Sequence, residues 1–182
     1  MQFIWQIYPQ NVDIYYKLNI CLLKYWLVMT ILPNIRNTSR ALIISKNRIL
    51  LQKKCHEGII SYCLPGGGQK TGESLVESLV RECLEEIGTE VSISRLAYIT
   101  ERLRNTTQQE ADKRHIVEHI FECTVSAHYE AQNGPHPDKH QVDVEWIAIE
   151  QAKELSIAPA HLRNYLRAEP PSNSGYCGLV ED

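Results

Sequence analysis

The residues best equipped for chemistry are Arg81, Glu82, Glu85 and Glu86, four charged side chains within two turns of one segment, just after the run Gly66-Gly67-Gly68. Like charges at helical neighbour spacing repel by roughly a few tenths of a kcal/mol per pair. Packing therefore gives no reason to gather three carboxylates here, and a cation is the natural compensation. Hard carboxylate oxygens suit Mg²⁺, with Mn²⁺ as a substitute.

Such a cluster works only if something holds it. Ser74 is a good N-cap, and Glu77 three residues on completes a capping box. Leu75, Leu79, Cys83 and Ile87 recur every four residues, with Val76, Val80 and Leu84 beside them. That is the apolar stripe of an amphipathic helix. Gly88 stands where a left-handed C-cap is expected. Glu82, Glu85 and Glu86 fall to one side of the stripe, so burial of the apolar side positions the carboxylates.

Residues 67–89 resemble the Nudix box, G-x5-E-x7-R-E-U-x-E-E-x-G-U, where U is a bulky apolar residue. Gly67, Glu73, Arg81, Glu82, Glu85, Glu86 and Gly88 match every fixed position. Cys83 serves as the first U, and Thr89 departs at the second. The resemblance implies an α/β fold of Nudix type, an α/β/α sandwich with a mixed central sheet. It implies hydrolysis of a nucleoside diphosphate linked to a group X, giving a nucleoside monophosphate and phospho-X. Glu82, Glu85 and Glu86 would be the metal ligands, with the Gly66 carbonyl as a further one. Glu82 is the expected base, with Glu85 and Arg81 also placed in the catalytic set. Gly66, Gly67 and Gly68 would approach the substrate. Glu73 would brace Arg81 across the loop, and Glu73 and Gly88 would be structural. Glu145, beside Trp146, is the best positional match for a metal-binding glutamate outside the box; Asp143, Glu118 and Glu122 are alternatives. Gln141 stands where a carboxylate is sometimes found.

ADP-ribose-like compounds are the first expectation for substrate. A hydrolase that clears nucleoside triphosphates and a non-catalytic nucleotide sensor are the alternatives. Retention of all three box glutamates favours an enzyme over a sensor. Tyr62, Tyr98 and Phe121 are candidate base-stacking rings, with core packing the competing role. The segments 104–114 and 126–140 are expected to be loops that set specificity.

The net charge of −3 argues against DNA as a partner, because a nucleic-acid backbone calls for a basic surface; capped RNA stays open through the family resemblance. An anionic substrate at an acidic site needs a cation to reverse the local sign. None of the six cysteines forms a C-x-x-C pair, which fits a reducing cytoplasm better than a zinc ribbon. His115-Ile-Val-Glu118-His119 matches a zinc-peptidase pattern that needs a helix. The alternating, β-branched run predicts a strand, which would separate the two histidines by about 13 Å.

Residues 1–36 read as an N-terminal extension, holding two of the three tryptophans. They fit an extra helix or dimer element, a membrane-surface segment, or translated upstream sequence with Met29 the natural start. Their apolar stretch falls short of the ~20 residues that span a bilayer. Residues 37–168 form the expected hydrolase domain, and 169–182 a flexible tail. Strands are predicted at 40–45 and 48–53 around a Lys46-Asn47 hairpin turn, and at 59–64, 91–103, 116–125 and 142–149. Short helices are predicted at 150–155 and 160–167.

Overall fold

A computed structural model describes residues 35–105, 113–158, 162, 163, 166 and 175–180. Residues 1–34 of the N-terminal extension, with the Met29 start, and most of the helix expected at 160–167 lie outside the described residues, while Ile35 and Arg36 open the first strand. The described elements are β1 (Ile35–Ser45), β2 (Arg48–His56), β3 (Ile59–Cys63), β4 (Gly66–Gly68), α1 (Leu75–Ile87), β5 (Ser92–Asn105), β6 (Lys113–Thr124), β7 (Gln141–Ala148), α2 (Ile149–Ala152), β8 (Ile157–Ala158) and β9 (Tyr176–Val180).

The strands run in the order β8-β3-β2-β1-β6-β5-β9, with β4 added to β1 and β7 to β2. The sheet is mixed. β1 lies parallel to β6 and β3 parallel to β8, while β5 and β6 are antiparallel. Lys46 and Asn47 turn the β1–β2 hairpin with φ of 49° and 57°, the pair of positive values that a two-residue hairpin turn demands.

Alternation along the strands divides the core in two. Ala41, Ile43, Leu50, Phe121, Cys123 and Val144 face α1 and pack on Leu79, Cys83 and Ile87. Leu42, Leu51, Ile120 and Ile147 face the other way, against Ala152 and Leu162. Helical residues therefore cover both faces, the layering of a sandwich. Each fully buried aliphatic side chain contributes roughly 1.5–3 kcal/mol, so the apolar stripe of α1 fixes its rotation about its own axis. Tyr98 and Phe121 are core residues, and no base can stack on them.

Helix α1 begins and ends as its sequence predicts. Ser74 caps it with a complete capping box, and Gly88 closes it in the left-handed conformation at φ 68°. Two carbonyls of its last turn are met from the loop before β7: Gly134 N donates to Glu86 O and His136 N to Glu85 O, both at 2.8 Å. The expected flexible tail differs from what is observed. Tyr176–Val180 adds an edge strand parallel to β5, pinned where Tyr176 Oη donates to Glu101 Oε1 at 2.7 Å. Among the described residues, no helix is long and apolar enough to cross a membrane.

Candidate active site

Strand β4 brings the glycine run against β1, with Gly66 opposite Arg40 and Gly68 opposite Thr38. Gly66 has φ +122°, and a Cβ there would collide with the Ser39 backbone oxygen. Gly67 is required for another reason: the space its side chain would fill is taken by the Glu82 carboxylate. The glycine turn is a cradle for that side chain.

The three glutamates are held differently. Glu86 is buried, accepting from Gly66 N at 2.9 Å and from Gln52 Nε2 at 2.5 Å. Burial raises its pKa, against the pull of those donors and of Arg40. Glu82 lies over Gly67 and takes Arg81 Nη1 at 2.8 Å. Glu85 is about a third exposed and shares the same nitrogen at 3.1 Å. The rest of the Arg81 guanidinium forks onto Glu73, at 2.5 and 3.0 Å, and reaches Gly68 O at 3.2 Å. The Arg81 fork and the Lys70 N–H hold the Glu73 carboxyl down to about 2. Arg81 thus ties the glycine turn to the helix and balances Glu82 and Glu85. Among the described residues, no three acidic, histidine or cysteine side chains stand close enough together to hold a metal ion among them.

Glu82 and Glu86 line a cavity of about 540 Å³ together with Gly66, Gly67, Gly68, Thr38, Ile116 and Asp138. Its remaining lining is cationic: Arg36, Arg40, Lys54, Arg102, Arg104 and Arg114. Arg40 Nη1 donates to the carbonyls of Leu64 and Gly66. Behind the arginines lies Glu118, fully buried, 3.5 Å from Arg40 Nε and 3.4 Å from Arg102 Nε. Carboxylates and guanidinium groups therefore line one cavity together.

Residues 35–168 match the NUDIX domain family. The chain belongs to that family. Nudix enzymes hydrolyse phosphoric anhydride bonds, and this chain is a hydrolase of that kind. They generally use divalent metal ions. Solved structures share the Nudix fold. The E. coli ORF135 protein is 24% identical with a TM-score of 0.56, over 78% of this chain and 96% of that one. A MutT protein from Bacillus halodurans is 19% identical, with a TM-score of 0.57 over 80% and 89%. An ADP-ribose pyrophosphatase from Streptococcus suis is 19% identical, with a TM-score of 0.50 over 80% and 98%. No curated protein sequence matches the chain.

The Nudix box residues converge, and the site residue expected outside the box does not join them. Glu145 pairs in register with Leu51 and its carboxylate holds Lys53 Nζ at 2.8 Å. Leu51 faces the core away from α1. Alternation puts Glu145 on that same sheet face, whereas Glu86 meets Gln52 on the other. Glu145 is not among the residues that line the cavity with Glu82 and Glu86. Gln141 is structural, its amide donating to Glu86 O at 2.7 Å and Asn133 Oδ1 at 2.9 Å. His115 and His119 lie on a strand with separate partners, Glu101 and the Thr38 carbonyl.

Sequence reasoning missed Gln52, which orients Glu86, and missed the arginine wall. A signal for the wall existed. Arg36 and Arg40 on β1, Arg102 and Arg104 on β5, and Arg114 on β6 all sit at even spacings, which place them on common strand faces.

Proposed function

We propose that this chain is a Mg²⁺-dependent pyrophosphohydrolase that splits a nucleoside diphosphate linked to X into a nucleoside monophosphate and phospho-X. The observation that carries this reading is a cavity lined by both carboxylates and guanidinium groups. A diphosphate bridge needs both, a cation held by acids and direct positive charge for the remaining oxygens.

The donor set fits a hard divalent ion. Glu82, Glu85 and Glu86 offer only carboxylate oxygens, and Mg²⁺ takes one or two such ligands alongside water and substrate oxygens, so an open set is sufficient. The Gly66 carbonyl has a second lone pair beyond the one used by Arg40. When bound, the ion neutralises charge on the diphosphate and lowers the pKa of bound water.

The protein's own contribution is positioning. Glu82, fixed by Gly67 beneath it, accepts the proton of the attacking water. Glu86, braced by Gln52 and Gly66 N, keeps one orientation. Arg81, tied to Glu73, carries the positive charge that keeps Glu82 and Glu85 together. Guanidinium groups across the cavity bind the phosphoryl oxygens.

A panel of nucleoside diphosphate-linked compounds and nucleoside triphosphates, incubated with Mg²⁺ or Mn²⁺ and read by nucleotide and phosphate release, tests the proposal. Turnover that vanishes in EDTA is the expected result. Binding of nucleotides without turnover of any of them would establish the sensor reading instead.

A further inference from the structure

The arginine wall is larger than a diphosphate requires. Six cations line the cavity against the carboxylates of Glu82, Glu86 and Asp138. Three of the six have an acidic partner in ion-pair distance. Lys54 pairs with Asp138, and Arg40 and Arg102 flank the buried Glu118. Among the described residues, no acid lies within ion-pair distance of Arg36, Arg104 or Arg114. Arg104 and Arg114 are moreover direct cross-strand partners in the β5–β6 ladder. Like charges placed directly opposite each other destabilise a sheet.

The arginines share one face of these strands, with Glu118 between Arg40 and Arg102. Arg36 and Arg102 both stand in register with Ile116, itself a lining residue. The opposite face of β5 and β6 carries Glu101 paired to His115. Ile116 is the sole apolar side chain in the cavity lining among the described residues, so this end favours anionic oxygens.

We propose that Arg36, Arg104 and Arg114 form a second anion subsite, which takes a phosphoryl group carried by the substrate beyond the scissile diphosphate. The subsite serves the hydrolase proposed above and narrows its substrate to one that carries a phosphoryl group besides the scissile diphosphate. ADP-ribose, the first expectation from sequence, lacks such a group. The extra phosphoryl is either the third phosphate of a nucleoside triphosphate or a phosphomonoester elsewhere on the substrate. Planar guanidinium groups bind either one through paired, charge-assisted hydrogen bonds.

Two measurements test the subsite. Inorganic tripolyphosphate is titrated calorimetrically into the full chain in EDTA at 150 mM salt, with wild type and the double variant Arg104→Gln/Arg114→Gln. The wild type is expected to bind, and the variant to bind at least tenfold more weakly; equal affinities would overturn the subsite. The kcat/KM for ATP, for coenzyme A (a diphosphate with a phosphomonoester on its ribose) and for ADP-ribose is then measured with Mg²⁺. The wild type is expected to prefer ATP or coenzyme A over ADP-ribose, and which of the two it prefers identifies the source of the phosphoryl. In the variant that preference should fall at least tenfold. An equal loss for all three compounds would also overturn the subsite. Wild-type binding of tripolyphosphate that the variant loses, with no turnover of any compound, supports the subsite and overturns only the hydrolase reading.

Discussion

Replacing Gly67 by alanine should separate activity from stability. The added methyl would lie 2.5 Å from Cδ and Oε2 of Glu82 and 2.8 Å from Oε1. Ordinary contact needs about 3.5 Å, so the carboxylate must retreat by about 1 Å. These nearest atoms all belong to the free end of one side chain, which can swing away at little cost. Gly67 is not among the glycines with positive φ, so its backbone accepts alanine. A Gly→Ala change at a compatible position stabilises by about 0.4–1 kcal/mol through the unfolded chain, and the melting temperature should hold or rise slightly. A misplacement of about 1 Å costs on the order of 10²-fold in rate, near 2.7 kcal/mol of barrier. Gly66→Ala is the contrasting case. Its φ of +122° and its collision with the Ser39 backbone leave nothing free to swing, so it should lose stability by more than ~1 kcal/mol. Both variants are assayed for kcat/KM and melting temperature on the same preparation. Wild-type turnover in Gly67→Ala, or a loss of activity that merely follows a loss of stability, would refute the cradle.

Glu85→Gln and Glu86→Gln should each lower kcat by orders of magnitude with the fold intact, because the neutral amide keeps the shape and loses the charge; near-normal turnover in both would remove these residues as metal ligands. Glu118→Gln should destabilise by about 3 kcal/mol, since it strips the shared counter-charge from Arg40 and Arg102 at a fully buried position; chemical denaturation reads this directly, and a change under ~1 kcal/mol would show the pairs to be well solvated. Glu73 titrates near 2 when folded and near 4.5 when free. Its brace on Arg81 is therefore at full strength above pH ~4.5 and fades as pH falls towards 2. Wild type should lose more stability than Glu73→Gln over that window, and parallel melting curves would count against the brace.

The local code for α1 was complete in its own residues. Ser74, Glu77 and Gly88 mark the ends, and the stripe from Leu75 to Ile87 sets which side is buried, because caps and period depend on neighbours within a few positions. The box spacing likewise carried the family and the gathering of Glu82, Glu85 and Glu86. The Lys46-Asn47 hairpin followed from turn chemistry alone. Contacts between distant segments were a different matter. Gln52 meeting Glu86, Glu118 lying between Arg40 and Arg102, and Glu145 facing away from the box all depend on which strands pair and in what register. Strand alternation says that two residues share a face, but not which face or what stands opposite it. The tail strand at Tyr176–Val180 shows the same limit, since an edge strand draws its hydrogen bonds from a partner far away in sequence. The chain thus declared its acidic helix by short-range rules, and only the assembled sheet decided that five arginines from three strands would share one cavity with it.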